Sequence, residues 1–171
     1  MIIAKELIDA SINAKNAAKT AHDNAMMESI KNKLPELDTL PGIIKEIMDT
    51  FRYIEGIDKE VSDSLWSAMC KEEEQFGLDF FNALDVFGTR YCGVKPHYTV
   101  LGVRTHIFVT EVGVFFGECT NLHKIDVLMD YTKPEMYEST LKSLCLLVDS
   151  VPKFREHLAC KLNMLLKNSL A

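Results

Sequence analysis

The sequence predicts an α+β fold, and three observations carry that prediction. Apolar residues recur at helical spacing through residues 1–88, the period changes to two near residue 89, and helical spacing returns after residue 132. The expected order is about five N-terminal helices, a three-stranded antiparallel β-meander over 89–131, and two C-terminal helices forming a hairpin over 132–171. A chain of 171 residues has the size of one ordinary domain with a real hydrophobic core, so a single domain spanning 1–171 is expected.

Residues 2–34 read as helix, with Ile3, Leu7, Ala10, Ala14, Ala17 and Ala21 spaced by alternating steps of four and three, which puts them on one face. Four of these six are alanine, so a partner helix could approach closely there. The polar "HDN" at 22–24 is a possible break into two helices. The stretch "LPELDTLPG" (34–42), with two prolines and a glycine, reads as a linker. A third helix over 43–54 carries Ile43, Ile47, Phe51 and Ile54 and is expected to stop at Gly56. A fourth starts near Asp58 with Val61, Leu65, Ala68 and Met69, and "LDFFNALDVFG" (78–88) reads as a short fifth helix or turn.

Strict alternation over 99–110 marks the first strand, with Ile107 and Val109 on its core face and Arg104, His106 and Phe108 on a mixed face. Strands over 114–119 and 124–131 complete the expected meander. A three-residue loop "EVG" (111–113) ending in Gly113 sets an expected register in which Phe108 faces Phe116, His106 faces Glu118, and Thr105 faces Cys119. Thr132 and Glu135 are spaced as a capping box with a proline in the first turn, and Ser150 precedes Pro152 in the same manner, so two separate C-terminal helices are expected.

Composition narrows the function classes. Hydrophobic residues make up 47% and charged residues 26%, ordinary for a globular domain. No apolar run approaches the ~20 residues of a membrane span, and the acidic residues in "MIIAKELIDA" fit neither a secretory nor a transit segment. The five cysteines are odd in number, widely spaced and without a C-x-x-C pair, so reduced thiols, no disulfide and a cytoplasmic location are expected. Charge is uneven: residues 1–88 carry net −8 and residues 89–171 net +2. This acidic chain has no basic stripe to follow phosphates, which disfavours nucleic acid.

The stretch from Cys92 to His123 concentrates the residues that could carry chemistry. Cys92, His97, Cys119 and His123 form a two-cysteine, two-histidine set of the kind that holds zinc, but an extended strand separates His97 from Cys119 by roughly 26 Å at ~3.3 Å per residue. A catalytic thiol is the other chemical reading, with His97 raising the thiolate fraction of Cys92 across the turn-like "GVKP". No G-x-S-x-G, phosphate-binding loop, H-E-x-x-H or G-x-G-x-x-G is present. No cofactor is therefore expected, and zinc enters only with that four-ligand alternative.

The leading expectation is a small cytoplasmic regulator that is not an enzyme and that binds another protein. Its binding surface would be the hairpin face formed by Phe108, Phe116, Arg104, His106 and Glu118, or the acidic helices around Glu72, Glu73 and Glu74. Homo-oligomerisation is expected through a free meander edge or the Ala-rich first helix. The alternative is an enzyme with a thiol or metal centre around Cys92 and His97.

Overall fold

The computed structural model describes residues 2–71, 79–81, 91–94, 99–100, 103–104, 106–118 and 121–170. It is α+β: helices α1 (Ile2–Glu36), α2 (Leu40–Ile57) and α3 (Lys59–Lys71), then strands β1 (Asp79–Phe81), β2 (Tyr91–Val94), β3 (Thr99–Val100), β4 (Val103–Arg104), β5 (His106–Thr110), β6 (Gly113–Glu118) and β7 (Asn121–Lys124), then a one-turn helix α4 (Leu128–Tyr131) and a long helix α5 (Tyr137–Leu170).

Helix α5 corrects the expectation of a C-terminal helical hairpin. It runs unbroken through Pro152 for 34 residues. Thr140, Leu144, Leu147, Val151, Phe154 and Leu158 step along it by four and three and are all buried. This stripe stays in phase across the proline, so packing holds the helix together where Pro152 removes one N–H donor. Ser150 is buried inside the helix and caps nothing. Thr132 does not cap either: its hydroxyl and its N–H both donate to the Leu128 carbonyl, at 2.8 and 3.0 Å, closing α4. The α5 entry is a 3-10 turn, Pro134–Met136, preceded by Lys133.

Helix α1 is likewise continuous across His22–Asn24, and the expected linker is helical. Leu37–Thr39 form a 3-10 turn, and Leu37 and Leu40 are fully buried. Burial of these two leucines gives the proline-rich stretch a core to fold against, which local turn propensity alone does not anticipate. The C-terminal part of α1 packs along α5 through buried Ile30 and partly buried Leu34. Beside this contact Lys33 bonds Glu36 at 2.8 Å; that bond, reinforced by Cys145 and Asp149 of α5, holds the lysine above its ordinary pKa.

Helix α2 extends past Gly56, and Asp58 joins it to α3 by accepting from the Glu60 and Val61 N–H groups at 3.0 and 3.2 Å. Ser62 donates to the Phe51 carbonyl at 3.2 Å, and Trp66 meets Phe51 edge-on with ring centres 5.1 Å apart. Glu46 of α2 pairs with Arg155 of α5 at 3.2 Å.

Among the described residues the main sheet has five antiparallel strands in the order β1-β2-β5-β6-β7, with β3 and β4 as a separate pair. Residues 79–81 are thus strand, where a fifth helix or turn was expected. The predicted first strand, 99–110, is divided into β3, β4 and β5. Consecutive β5, β6 and β7 do form the expected antiparallel meander, but its last strand is Asn121–Lys124 and not 124–131. Ile125 and Leu128 are buried three residues apart, one helical turn, and the chain coils there to bury both. Gly117 has φ +130°, and a side chain on it would collide with the Asn121 carbonyl, so this close hairpin requires glycine.

The hairpin register differs by one residue from that expected. Ile107 faces Phe116, Phe108 faces Phe115, and Val109 faces Val114. Only Glu111 and Val112 form the loop. Thr110 Oγ1 closes it, accepting from the Val112 N–H at 3.2 Å and donating to the Gly113 carbonyl at 3.3 Å. The one-residue shift collects Ile107, Val109, Val114 and Phe116 on the face packed against α2. Arg52 of α2 reaches Glu111 at 2.5 Å, which, with Asp49, holds the guanidinium pKa above its ordinary value. Asp49 bonds Lys45 at 2.5 Å and Arg52 at 3.1 Å, and these partners hold its carboxyl below the usual range.

Four outcomes test this architecture. Pro152→Ala should raise the melting temperature, because a proline inside a helix forfeits up to ~3 kcal/mol relative to alanine; a fall would mean that residue 152 starts a separate helix. Phe116→Ala should cost about 3–5 kcal/mol in denaturant unfolding, as for a fully buried ring. A double-mutant cycle on Arg52 and Glu111 should return a coupling of about 0.2–1 kcal/mol, the range of a half-exposed pair. Because the folded pKa of Asp49 is lowered, its contribution is present above the ordinary carboxylate range and is lost as pH falls through the lowered value. Asp49→Asn should therefore flatten the acid limb of stability against pH.

Candidate functional site

The hairpin face anticipated as a binding surface is not an aromatic patch. With the register shifted, Phe108 and Phe116 lie on opposite faces of the sheet and are 2% and 0% exposed. Phe108 stacks on Phe115, with ring centres 6.0 Å apart. His106 is half-buried and opposite Gly117, not Glu118. Arg104 falls in β4 and Glu118 at the end of β6, opposite Asn121; their side chains lie outside the described residues. The acidic run at Glu72, Glu73 and Glu74 also lies outside them.

The residues of the thiol and zinc alternatives are only partly described. Cys92 sits inside β2, between Phe80 of β1 and Val109 of β5, so Gly93 and Val94 continue a strand where a turn was expected. His97, Cys119 and the side chain of Cys92 lie outside the described residues. His123 is in β7, opposite Phe116. The sheet order separates β2 from β7 by three strand spacings, roughly 14 Å at ~4.8 Å each, which is too far for Cys92 and His123 to share one ion. The His123 ring is instead a packing plate, stacked on Phe116 at 5.3 Å and tilted against Tyr131 at 4.7 Å. Among the described residues no three His, Cys, Asp or Glu side chains come together as a metal set, and Cys145 and Cys160 are free thiols.

The feature with binding character is the N-terminal part of α1. Every residue from Ile3 to His22 is exposed. Ile3 is 73% exposed, Leu7 66%, Ile8 59% and Ile12 50%. They form two pairs on nearly opposite sides of the helix, Ile3 with Leu7 and Ile8 with Ile12, and large exposed apolar side chains gathered on one element mark a candidate interaction site. The segment is a helical arm of 20 residues, about 30 Å long at ~1.5 Å per residue, continuous with the part of α1 that Ile30 anchors in the core. The Ala-rich stripe seen in the sequence lies on this arm. Its spacing reveals an apolar face, but only the packing shows that no described element covers that face.

A second exposed apolar feature lies at the far end of α5. A cleft of about 530 Å3 between α3 and α5 is lined by Val61, Leu65, Ala68, Met164 and Leu165, with Lys161 at its edge.

Compared with protein-family models, with curated proteins and with solved structures, the chain matches none.

Proposed function

We propose that this protein acts by binding protein, and that the arm of α1 is its binding element. The observation that carries the reading is the continuous exposure of Ile3 through His22, with four large apolar side chains among them. Helices in water draw most of their stability from packing an apolar face, and a 20-residue segment with none is marginal by itself. A partner laid along the arm would supply the missing packing, in the manner of a helix docked against an apolar surface. The arm is continuous with the part of α1 that Ile30 anchors in the core. A small regulatory protein that holds its partner through this helix fits these features, and homo-oligomerisation is one form such binding can take.

The test is a photoreactive residue placed at Leu7 in intact cells, with the same residue at Lys153, exposed on α5 and away from the arm, as the control. Irradiation should give protein adducts from position 7 and few from position 153. No adduct from either position would overturn the reading. In dilute solution, Leu7→Asp should leave the melting temperature within about ±0.5 kcal/mol of stability, as an exposed position does.

A further inference from the structure

We infer that the cleft between α3 and α5 is where two copies of this chain join, a surface separate from the arm. In the dimer α3 lies antiparallel on α3, and α5 on α5, about a two-fold axis. Val61 and Leu65 of α3 and Met164 and Leu165 of α5 line the cleft, and all but Leu65 are exposed. Two helices with an open apolar groove between them are half of a four-helix bundle, and a second such pair laid across the groove closes it. Among the described residues only α3, α5 and Asp58 contribute to the walls.

The charges beside the groove say what closes it. Along α3, Glu60, Ser64, Ala68 and Lys71 follow at steps of four, four and three. Along α5, Glu156, Cys160, Met164 and Lys167 repeat the same steps, so each set occupies one stripe of its helix. Glu60, Ser64, Ala68 and Met164 line the cleft, which places both stripes along it. Each stripe begins with a carboxylate and ends with an ammonium group about 16 Å further on, at ~1.5 Å per residue. All four charged side chains are exposed. None of the four is ion-paired among the described residues. Lys161 and Asp58, which also line the cleft, are already engaged within their own chain.

A stripe of this kind is complementary to itself when reversed. Antiparallel packing sets Glu60 against Lys71 of the second copy and Glu156 against its Lys167, and the two-fold axis repeats both pairs. Parallel packing sets carboxylate on carboxylate and ammonium on ammonium. Self-complementarity is what a two-fold interface requires, and it makes a second copy the occupant. Side-chain size agrees: reversed stripes bring the large Met164 against the small Cys160, whereas parallel ones stack Met164 on Met164. Exposed ion pairs contribute little each, so covering Val61, Met164 and Leu165 drives association and the charges fix its direction. The contact ends at Glu156, one turn short of Lys153.

The experiment uses the purified full chain. Sedimentation equilibrium over rising concentration should give a monomer–dimer equilibrium. Met164→Glu should weaken the dimer about tenfold or more by burying an unpaired charge. Lys167→Glu should weaken it about fivefold, and adding Glu156→Lys to that variant should restore it. Lys59→Glu, the same charge change on the far side of α3, should leave it unchanged. The variants should melt like the parent in dilute solution; should Met164→Glu melt early, the exposed charge swap decides alone. A short bismaleimide reagent added to the unaltered protein should join Cys160 to Cys160 in peptide mass analysis. A monomer at high micromolar concentration, a charge swap that restores nothing, equal loss from Lys59→Glu, or a dimer without the Cys160 link would each overturn the inference. A dimer lost on Leu7→Asp but indifferent to Met164→Glu would also overturn it and place self-association on the arm.

Discussion

The structure depends on one uninterrupted buried stripe along α5. Thr140, Leu144, Leu147, Val151, Phe154 and Leu158 hold a single phase across Pro152, and α1, α2 and β5 all pack against this helix. Had the chain broken at the proline, the stripe would have divided into two short segments with independent orientations, and no single surface would remain for the other elements. The proline costs a backbone hydrogen bond, and close packing on both sides of it outweighs that cost. From this axis the rest follows in order. Helix α2 seats Phe51 and Trp66 through α3, and the sheet lays Ile107, Val109, Val114 and Phe116 against α2. Arg52 then ties the hairpin loop to the same helix through Glu111.

Against that packed body the arm of α1 stands out. The same helix that buries Ile30 leaves every residue from 3 to 22 exposed. Exposed single apolar residues are ordinary on a protein surface, but a 20-residue helical run without one buried position is not. The chain therefore combines a packed core with a helical segment that no described element covers. In the proposed reading this segment binds and α5 carries stability, so that changes in the arm should alter association without altering the fold.

Much of the architecture was legible in the sequence, and the errors have physical causes. Helical periodicity located α1, α2, α3 and α5, and strand alternation located β5 and β6, because burial on one face writes a period into the residues. Pro35, Pro152 and Gly56 were read as breaks, yet each lies inside a helix; around the two prolines, buried Leu37, Leu40, Val151 and Phe154 gain more by staying packed than the backbone loses. The hairpin register slipped because the hydroxyl of Thr110 closes a two-residue loop, a side-chain effect that turn rules based on backbone sterics miss. That single step moved Phe108 and Phe116 to opposite faces and dissolved the aromatic patch. The candidate site was legible only as an alanine stripe. Spacing shows that a face exists, whereas its exposure depends on where the rest of the chain ends up.

The most direct measurement of the central claim is amide hydrogen exchange along α1 and α5 in dilute protein. The account predicts that amides of residues 3–22 exchange rapidly, while those from Leu144 to Leu158, on both sides of Pro152, stay slow. Rapid exchange beginning at Pro152, or arm amides as slow as those of the stripe, would contradict it.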